Sequence, residues 1–377
     1  MTRAFLDLHV LQSVPPSNIN RDDTGSPKTA VYGGVTRARV SSQAWKHAIR
    51  KSFEELLDTS EIGVRSKRLI EKISEEIAEL SPDLKERSQD LAADVLTVAG
   101  ITLEKAKKAK NKLEDRKSLE SSYLIFLSNL QINNLAVLAV RAEQSGEKLD
   151  KKEVIAAAKS DHSVDIALFG RMVADIVDLR VDAAAQVAHA ISVHGVENEY
   201  DYFTAVDDNA SGDHAGAGMI GTVEFNSSTL YRYATVNLGM LKEHLGDAEA
   251  TARAVEAFVR AFITSLPTGK QNTFANRTLP NAVVVSLRTD QPVNLVGAFE
   301  DAVVVRDSGS RLAVSTQALV DHTKAVETSF NSQPKQTWVI AVGAQTSALS
   351  ALGEPTDMNS LIAGVSDAVK DELREDA

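Results

Sequence analysis

"VTRARVSSQAWKHAIRKSF", Val35 to Phe53, changes its pattern midway. Arg37 and Arg39 stand two apart in "TRARV", so an extended chain puts both on one face. Ser41 or Ser42 then occupies a cap position before Trp45, Ala48, Ile49, Phe53 and Leu56, which recur at helical spacing. A strand therefore runs straight into an amphipathic helix. Upstream, "FLDLHVLQSV" (Phe5 to Val14) reads as a mostly buried strand.

Downstream, beyond a long intervening segment, "AQVAHAISVHGV" alternates Val187, His189, Ile191 and Val193 against small residues and reads as a strand. "TVEFNSSTLYRYATVNL" is rich in β-branched and aromatic residues and reads as another. "DAEATARAVEAFVRAFITSL" is an amphipathic helix ended by Pro267, and "NAVVVSL" is a strand. With insertions set aside the order is strand, helix, strand, strand, helix, strand. That is the ferredoxin-like, or split βαβ, order shared by RNA-recognition folds, and it predicts an α+β fold. Appended helices and the strand "TWVIAV" complete the chain, and no solenoid-type repeat is present.

The intervening segment has a different composition. From about Glu54 to Lys117, "RSKRLIEKISEEIAEL" and "LEKAKKAKNKLEDRKSLE" are strong helix formers with i,i+4 charge pairs, which predicts an exposed helical insertion. A more apolar helical stretch follows from Ser121 to Arg141, and "DIALFGRMVAD" lies near the far end of the insertion.

At 377 residues the chain has ample length for a large core, in one elaborated domain or two to three smaller ones. Its 43% hydrophobic and 25% charged residues are those of an ordinary soluble globular protein. The absence of cysteine removes disulfides, thiolate zinc sites and cysteine nucleophiles, and fits a reducing cytoplasm. Asp7 and His9 interrupt the first apolar run, unlike a secretory signal, and no window approaches a membrane span.

Several motifs fail on context. "GAGMIG", Gly216 to Gly221, matches a dinucleotide fingerprint in letters. It follows a turn-rich stretch and precedes a strand, so it reads as a mobile hairpin tip and no cofactor is expected. "PTGKQNT" has Thr264 where a phosphate loop needs its first glycine, and Gln271 follows the lysine. His189 and His194 lack zinc-ligand spacing and would face opposite ways on a strand. Asp207, Asp208 and Asp213 lie among Gly, Asn and Ser and read as solvated turn residues, not as metal ligands. No nucleophile elbow or paired catalytic acid stands out.

What remains is a charge anomaly. The chain carries a formal net charge of −11 with 52 acidic residues, yet Thr24 to Phe53 contains none, while Lys28, Arg37, Arg39, Lys46, Arg50 and Lys51 all fall inside. Lys46 and Arg50 are i,i+4 neighbours on one helix face. The free amides of that helix and the hydroxyls of Ser41 and Ser42 complete a polyphosphate cradle. Ala257 to Thr289 is a second acid-free window, and it holds Lys270, Gln271, Asn272, Phe274 and Arg277 in one loop. Two such windows predict a groove kept free of negative charge that tracks a phosphate backbone.

"HVLQSVPPSNINRDDTGSPKTAVYGGVTRARVSSQAWKHAIRKS" strongly resembles the start of the CasC family, the backbone subunit of the type I-E CRISPR surveillance complex Cascade. The likeness resumes at "DIALFGRM", "AHAISVHGVENEYDYFTAVDD", "GTVEFNSSTLYRYATVNL" and "PTGKQNTFANRT", and so covers most of the chain. The resemblance implies a right hand: an RRM-like palm over residues 1–58 and 181–377, a helical fingers insertion over 59–180, and a hairpin thumb over 200–225. It further implies a non-catalytic, cytoplasmic antiviral subunit that polymerises along the guide RNA spacer in a helical homo-oligomer. Its partners would be the guide RNA, other copies of itself, other Cascade subunits, and target DNA through the complex. By motif match, Arg21, Lys28, Arg39, Ser41, Gln43, Lys46 and Arg50 face the RNA backbone, joined by Lys270. Met172 with Phe203, Val206 and Ile220 form the apolar wedges around a displaced base. The sheet lacks the aromatic-rich signature with which ordinary RRMs stack bases, which fits recognition by backbone and shape. The competing reading is an RRM-like endoribonuclease that processes CRISPR transcripts, with His47 the one histidine in the basic segment.

Overall fold

The computed structural model describes residues 3–105, 119–173, 176–205, 219–305 and 309–374. The chain divides into two compact units. The first comprises Met1–Phe53, Gln186–Gly239 and Ala252–Ala377, and the second Glu54–Ala185 and Met240–Thr251.

The chain opens with β1 (Phe5–Ser17), β2 (Thr29–Tyr32), β3 (Val35–Val40) and α1 (Ser42–Leu56). Leu6, Leu8 and Val10 are fully buried on one face of β1, and Asp7, His9 and Leu11 on the other. The strand is buried on both sides, which is why its sequence alternates so loosely. Gly33 and Gly34 join β2 to β3 with φ of 57° and 77°, the positive values a two-residue hairpin turn requires. A side chain at Gly33 would also collide with the Glu300 carbonyl, 1.6 Å from where its Cβ would sit. Of the periodic residues of α1, Trp45, Ile49 and Phe53 are buried as their spacing predicts, while Ala48 is half-buried and Leu56, the last residue of the helix, is exposed.

The second unit begins with β4 (Gly63–Ser66), α2 (Leu69–Leu80), α3 (Ser88–Val98), β5 (Leu103–Lys105), β6 (Leu119–Ser121) and β7 (Ile125–Ser128). It continues through α4 (Asn129–Ser145), α5 (Lys151–Lys159) and α6 (Val164–Phe169). Its core joins Ile73 and Ile77 of α2, Val95 of α3, and Leu135 and Ala139 of α4. Two sequence expectations fail in part here. The apolar stretch Ser121 to Arg141 reads as helix, but it opens with the end of β6 and with β7, and the helix starts at Asn129. The charged run at 103–120 reads as helix, but Leu103–Lys105 and Leu119–Ser121 pair as antiparallel strands. Helix propensity is a weak prior that non-local pairing overrides. The intervening residues 106–118 lie outside those described. Ser128 and Gln131 form a reciprocal capping box that starts α4, and Gly146 ends it at φ 70°.

The chain then adds β8 (Ala185–Val187), β9 (Ala190–Ser192), β10 (Glu199–Ala205), β11 (Met219–Asn237), α7 (Leu238–Leu245), α8 (Ala248–Thr264) and α9 (Gln271–Phe274). It ends with β12 (Ala282–Arg288), α10 (Arg311–Phe330), β13 (Gln336–Ala341) and α11 (Met358–Arg374). The main sheet runs β13-β12-β1-β11-β9-β3-β2, and β8 and β10 also pair with β11. One end of β11 pairs with β10 as a hairpin, Tyr200 opposite Glu224, while the other enters the sheet, Leu230 opposite Gln12. The hairpin arm and the sheet centre are thus one continuous strand.

The sheet face bearing Leu11, Tyr231 and Val284 packs on Leu312 and Leu319 of α10 and on Leu295 and Phe299. A polar cluster is embedded beside it. Arg288 Nε meets Asp7 Oδ2 at 3.2 Å, and Tyr233 donates to Asp7 Oδ1 at 3.0 Å. His9 hydrogen-bonds the Tyr231 hydroxyl at 2.9 Å. Burial, with Arg288 adding to it, pushes the His9 imidazole down to about 3. The unfolded chain takes up that proton near pH 6.5 and the folded one does not. This contribution to stability is therefore full above that pH and is lost progressively down to about pH 3, by up to ~1.4 kcal/mol per pH unit. Asp7, raised by burial, acts in the opposite sense, so the His9→Phe difference isolates the effect. Urea unfolding at neutral and mildly acidic pH should show a flatter acid dependence for His9→Phe than for the native chain.

Candidate nucleic-acid interface

Within the first unit, the first acid-free window is held together by one residue that sequence reasoning passed over, Asn20. Its carbonyl accepts from the Lys28 amide at 2.9 Å, and its Oδ1 accepts from the Ser41 amide at 2.9 Å. The Lys28 carbonyl in turn accepts from the Arg39 amide at 2.8 Å. The loop after β1, strand β3 and the start of α1 are thereby locked together. Asp22 closes the tip of that loop, accepting from the Thr24 amide and hydroxyl and from the Ser26 amide. These bonds, the Thr24 hydroxyl foremost, hold its carboxyl below the usual range.

The second window reaches the same place through Gly269. A Cβ there would lie 2.4 Å from the Ile19 carbonyl oxygen and 2.8 Å from that of Asn18, so only glycine permits this approach. Lys270 follows at φ 51° and Ala275 at φ 46°, an unusual conformation for side-chain-bearing residues at both ends of α9. Phe274 packs on Phe225 of β11 with ring centroids 5.7 Å apart. A small cleft beside this junction is lined by Ser17, Asn20, Lys28, Arg39, Asn226 and Ser228.

Most of the predicted phosphate-facing residues reach solvent. Arg21, Gln43, Gln271 and Asn272 are exposed, and Lys28, Arg39, Lys46, Arg50 and Lys270 are half-buried. Burial alone pushes the Lys46 ammonium below its ordinary range. Arg39 donates to the Thr29 carbonyl at 3.1 Å and to His189 Nδ1 at 3.1 Å. Burial, then Arg39 and Lys28, lower the imidazole of His189, so it accepts as a neutral ring. His189 thus joins the basic cluster, while His194 is structural, donating to Gly195 and accepting from the Thr229 amide. Ser41 is mostly buried, and its hydroxyl caps α1 by accepting from the Ala44 amide at 3.3 Å.

Arg37 departs from the sequence expectation. It is fully buried, and its guanidinium donates to the carbonyls of Tyr32, Ser192, Phe299 and Glu300 at 3.0 to 3.2 Å. The face it shares with Arg39 is covered at one end by residues far along the chain. Arg37 ties the β2–β3 hairpin to the sheet and presents no fork to a phosphate.

The expected apolar wedges fall in both units. Met172, in the second, is 91% exposed. Its neighbour Arg171 is 2% exposed and donates to the carbonyls of Leu179, Phe126 and Ala158 and to Gln131 Oε1. Burial pushes that guanidinium down to about 10, and its anchorage projects Met172 outward. Phe203, in the hairpin, is half-buried against Gly221, where a Cβ would lie 2.6 Å from its ring. Ile220 pairs with Thr204 across the hairpin. Val206 and the Asp207, Asp208 and Asp213 turn lie outside the described residues, as does Gly216 to Gly218 of "GAGMIG".

Among known proteins, residues 6–364 match the family described as CT1975-like protein (Cas_CT1975). A chain of a solved structure described as "CRISPR RNA-guided surveillance complex, pre-nicking" is 36% identical, with a TM-score of 0.83 over 96% of this chain and 100% of that one. A chain of another, described as "CRISPR RNA-guided surveillance complex", is 30% identical, with a TM-score of 0.70 over 96% of this chain and 99% of that one. No curated protein matches.

Proposed function

This chain belongs to the CT1975-like family, and we propose from that premise that it is the non-catalytic guide-RNA-binding backbone subunit of a type I-E Cascade. The observation that carries the reading is that both acid-free windows meet the short segment after β1: Lys28 and Ser41 at Asn20, and Gly269 at Asn18 and Ile19. Cations drawn from both windows, Lys28, Arg39, Lys46, Arg50 and Lys270, would hold phosphates without reading bases. Sequence is then left to base pairing between guide and target. The neighbouring order β12-β1-β11-β9 is the fourth-first-third-second arrangement of a ferredoxin-like palm, which supports an RRM-like reading of the sheet. Copies would stack head-to-tail along the RNA in the cytoplasm, since a heterologous interface that does not close builds an open helix. Met172, Phe203 and Ile220 would unstack a base at regular intervals, a task that needs apolar bulk and no hydrogen-bond code.

Light scattering on single-stranded RNAs of increasing length tests this reading. The complex should gain mass in steps set by RNA length, the RNA should stay intact, and chemical probes should find unstacked bases at a fixed period. Met172→Ala should weaken that periodic reactivity. A closed dimer at every length contradicts the assembly, and cleavage of the RNA without metal would favour an RRM-like endoribonuclease.

A further inference from the structure

A buried cation lies beneath the two cationic stretches, in the first unit. Arg232 of β11 is 1% exposed. Its guanidinium carbon sits 3.8 Å from the centroid of the Trp45 ring of α1 and 4.7 Å from that of Phe262 of α8. Nη1 donates to Gln12 Oε1 at 2.6 Å, and Nη2 donates to the Phe262 carbonyl. Gln12 is fully buried in β1 and passes the contact on, donating through Nε2 to the Thr278 carbonyl at 2.8 Å and to its hydroxyl at 3.2 Å. The Thr278 hydroxyl donates to the Ser13 carbonyl at 2.9 Å. The far end of the Lys270 loop is thus pinned to β1, and β1 is pinned through Arg232 to the inner face of α1.

These contacts give Arg232 two aromatic faces and neutral oxygen acceptors. Burial pushes its guanidinium down to about 9, so it stays charged at neutral pH. A buried charge is a costly way to fill core volume, since an apolar side chain of similar size is often as stabilising. What a guanidinium adds is fixed geometry: a planar fork that stacks on rings and donates in set directions.

We propose that Arg232 is a positioning residue, which through Trp45 and Gln12 sets the Lys270 loop relative to helix α1, so that Lys270 meets the same phosphate run as Lys46 and Arg50. The proposal rests on the RNA-binding reading for its functional half and on the free protein for its mechanical half. Two measurements keep them apart.

In the free protein, Arg232→Met should speed amide hydrogen exchange at residues 273–275 by about tenfold while the β12 amides, 283–287, keep their protection. A side chain that merely supports the core would loosen β12 as well, and that result overturns the proposal. Thr278→Val removes one hydroxyl at nearly constant shape and should produce the same local loosening even if Arg232→Met fails to fold. Unchanged exchange in Thr278→Val also overturns it. On single-stranded RNA, Lys270→Ala should weaken binding in the native background and have at most about a third of that effect on a log scale beside Arg232→Met. Full additivity overturns the proposal. If Lys270→Ala alone leaves affinity unchanged while the local exchange shift occurs, the RNA-binding reading fails and the mechanical coupling is supported.

Discussion

Asp7→Ala should lower the stability of the free protein by about 3–5 kcal/mol, the usual result of stripping one partner from a buried ion pair. Asp7 is fully buried and Arg288 is 1% exposed. Besides Arg288, the carboxylate accepts from the Tyr233 hydroxyl at 3.0 Å and from the Val293 amide at 2.8 Å. It therefore ties together β1, β11, β12 and the segment that leads to Leu295. Without it Arg288 keeps the Ser332 carbonyl at 2.9 Å from Nη1 and a more distant Glu327 at 3.7 Å from Nη2, and Nε loses its carboxylate. Burial raises the Asp7 pKa despite these partners, so its desolvation is large. Asp7→Asn retains an acceptor for Tyr233 or Val293 and should lose less stability. Urea unfolding measures both, and a midpoint for Asp7→Ala equal to that of the native chain would show that the pair does not hold these strands.

Local patterns made much of this molecule legible. The Trp45, Ile49 and Phe53 spacing places the buried stripe of α1, and β1, β11, β12 and β13 fall where their apolar runs predict. Contacts made across long sequence separations were not legible. Arg37 shares a strand face with Arg39, but the carbonyls of Ser192, Phe299 and Glu300 that claim its donors come from distant segments. Leu103–Lys105 becomes a strand only because Leu119–Ser121 returns beside it. Asn20 illustrates the same limit within the site. Asn20 stands inside the stretch that resembles the CasC family, yet nothing in the local sequence says that it joins Lys28 to Ser41. Gly269 read as part of a failed phosphate loop. Its role is to let the Lys270 loop lie against the Ile19 main chain.

If the rim around Asn20 holds a phosphate backbone, RNA binding should weaken with salt in proportion to the cations on that rim. Each cation that neutralises a single-strand phosphate adds about 0.7 to the slope of log affinity against log salt. Lys28, Lys46 and Lys270 come from the loop after β1, from α1 and from the second window, and all three are half-buried. Arg37 is left out because its guanidinium is turned inward. The combined Lys28→Ala, Lys46→Ala and Lys270→Ala variant should keep its fold by circular dichroism. Its slope on single-stranded RNA should be shallower than that of the native chain by about 2, with affinity at physiological salt lower by at least about a hundredfold. A native slope and native affinity in that variant would place the RNA elsewhere on the protein and contradict the account.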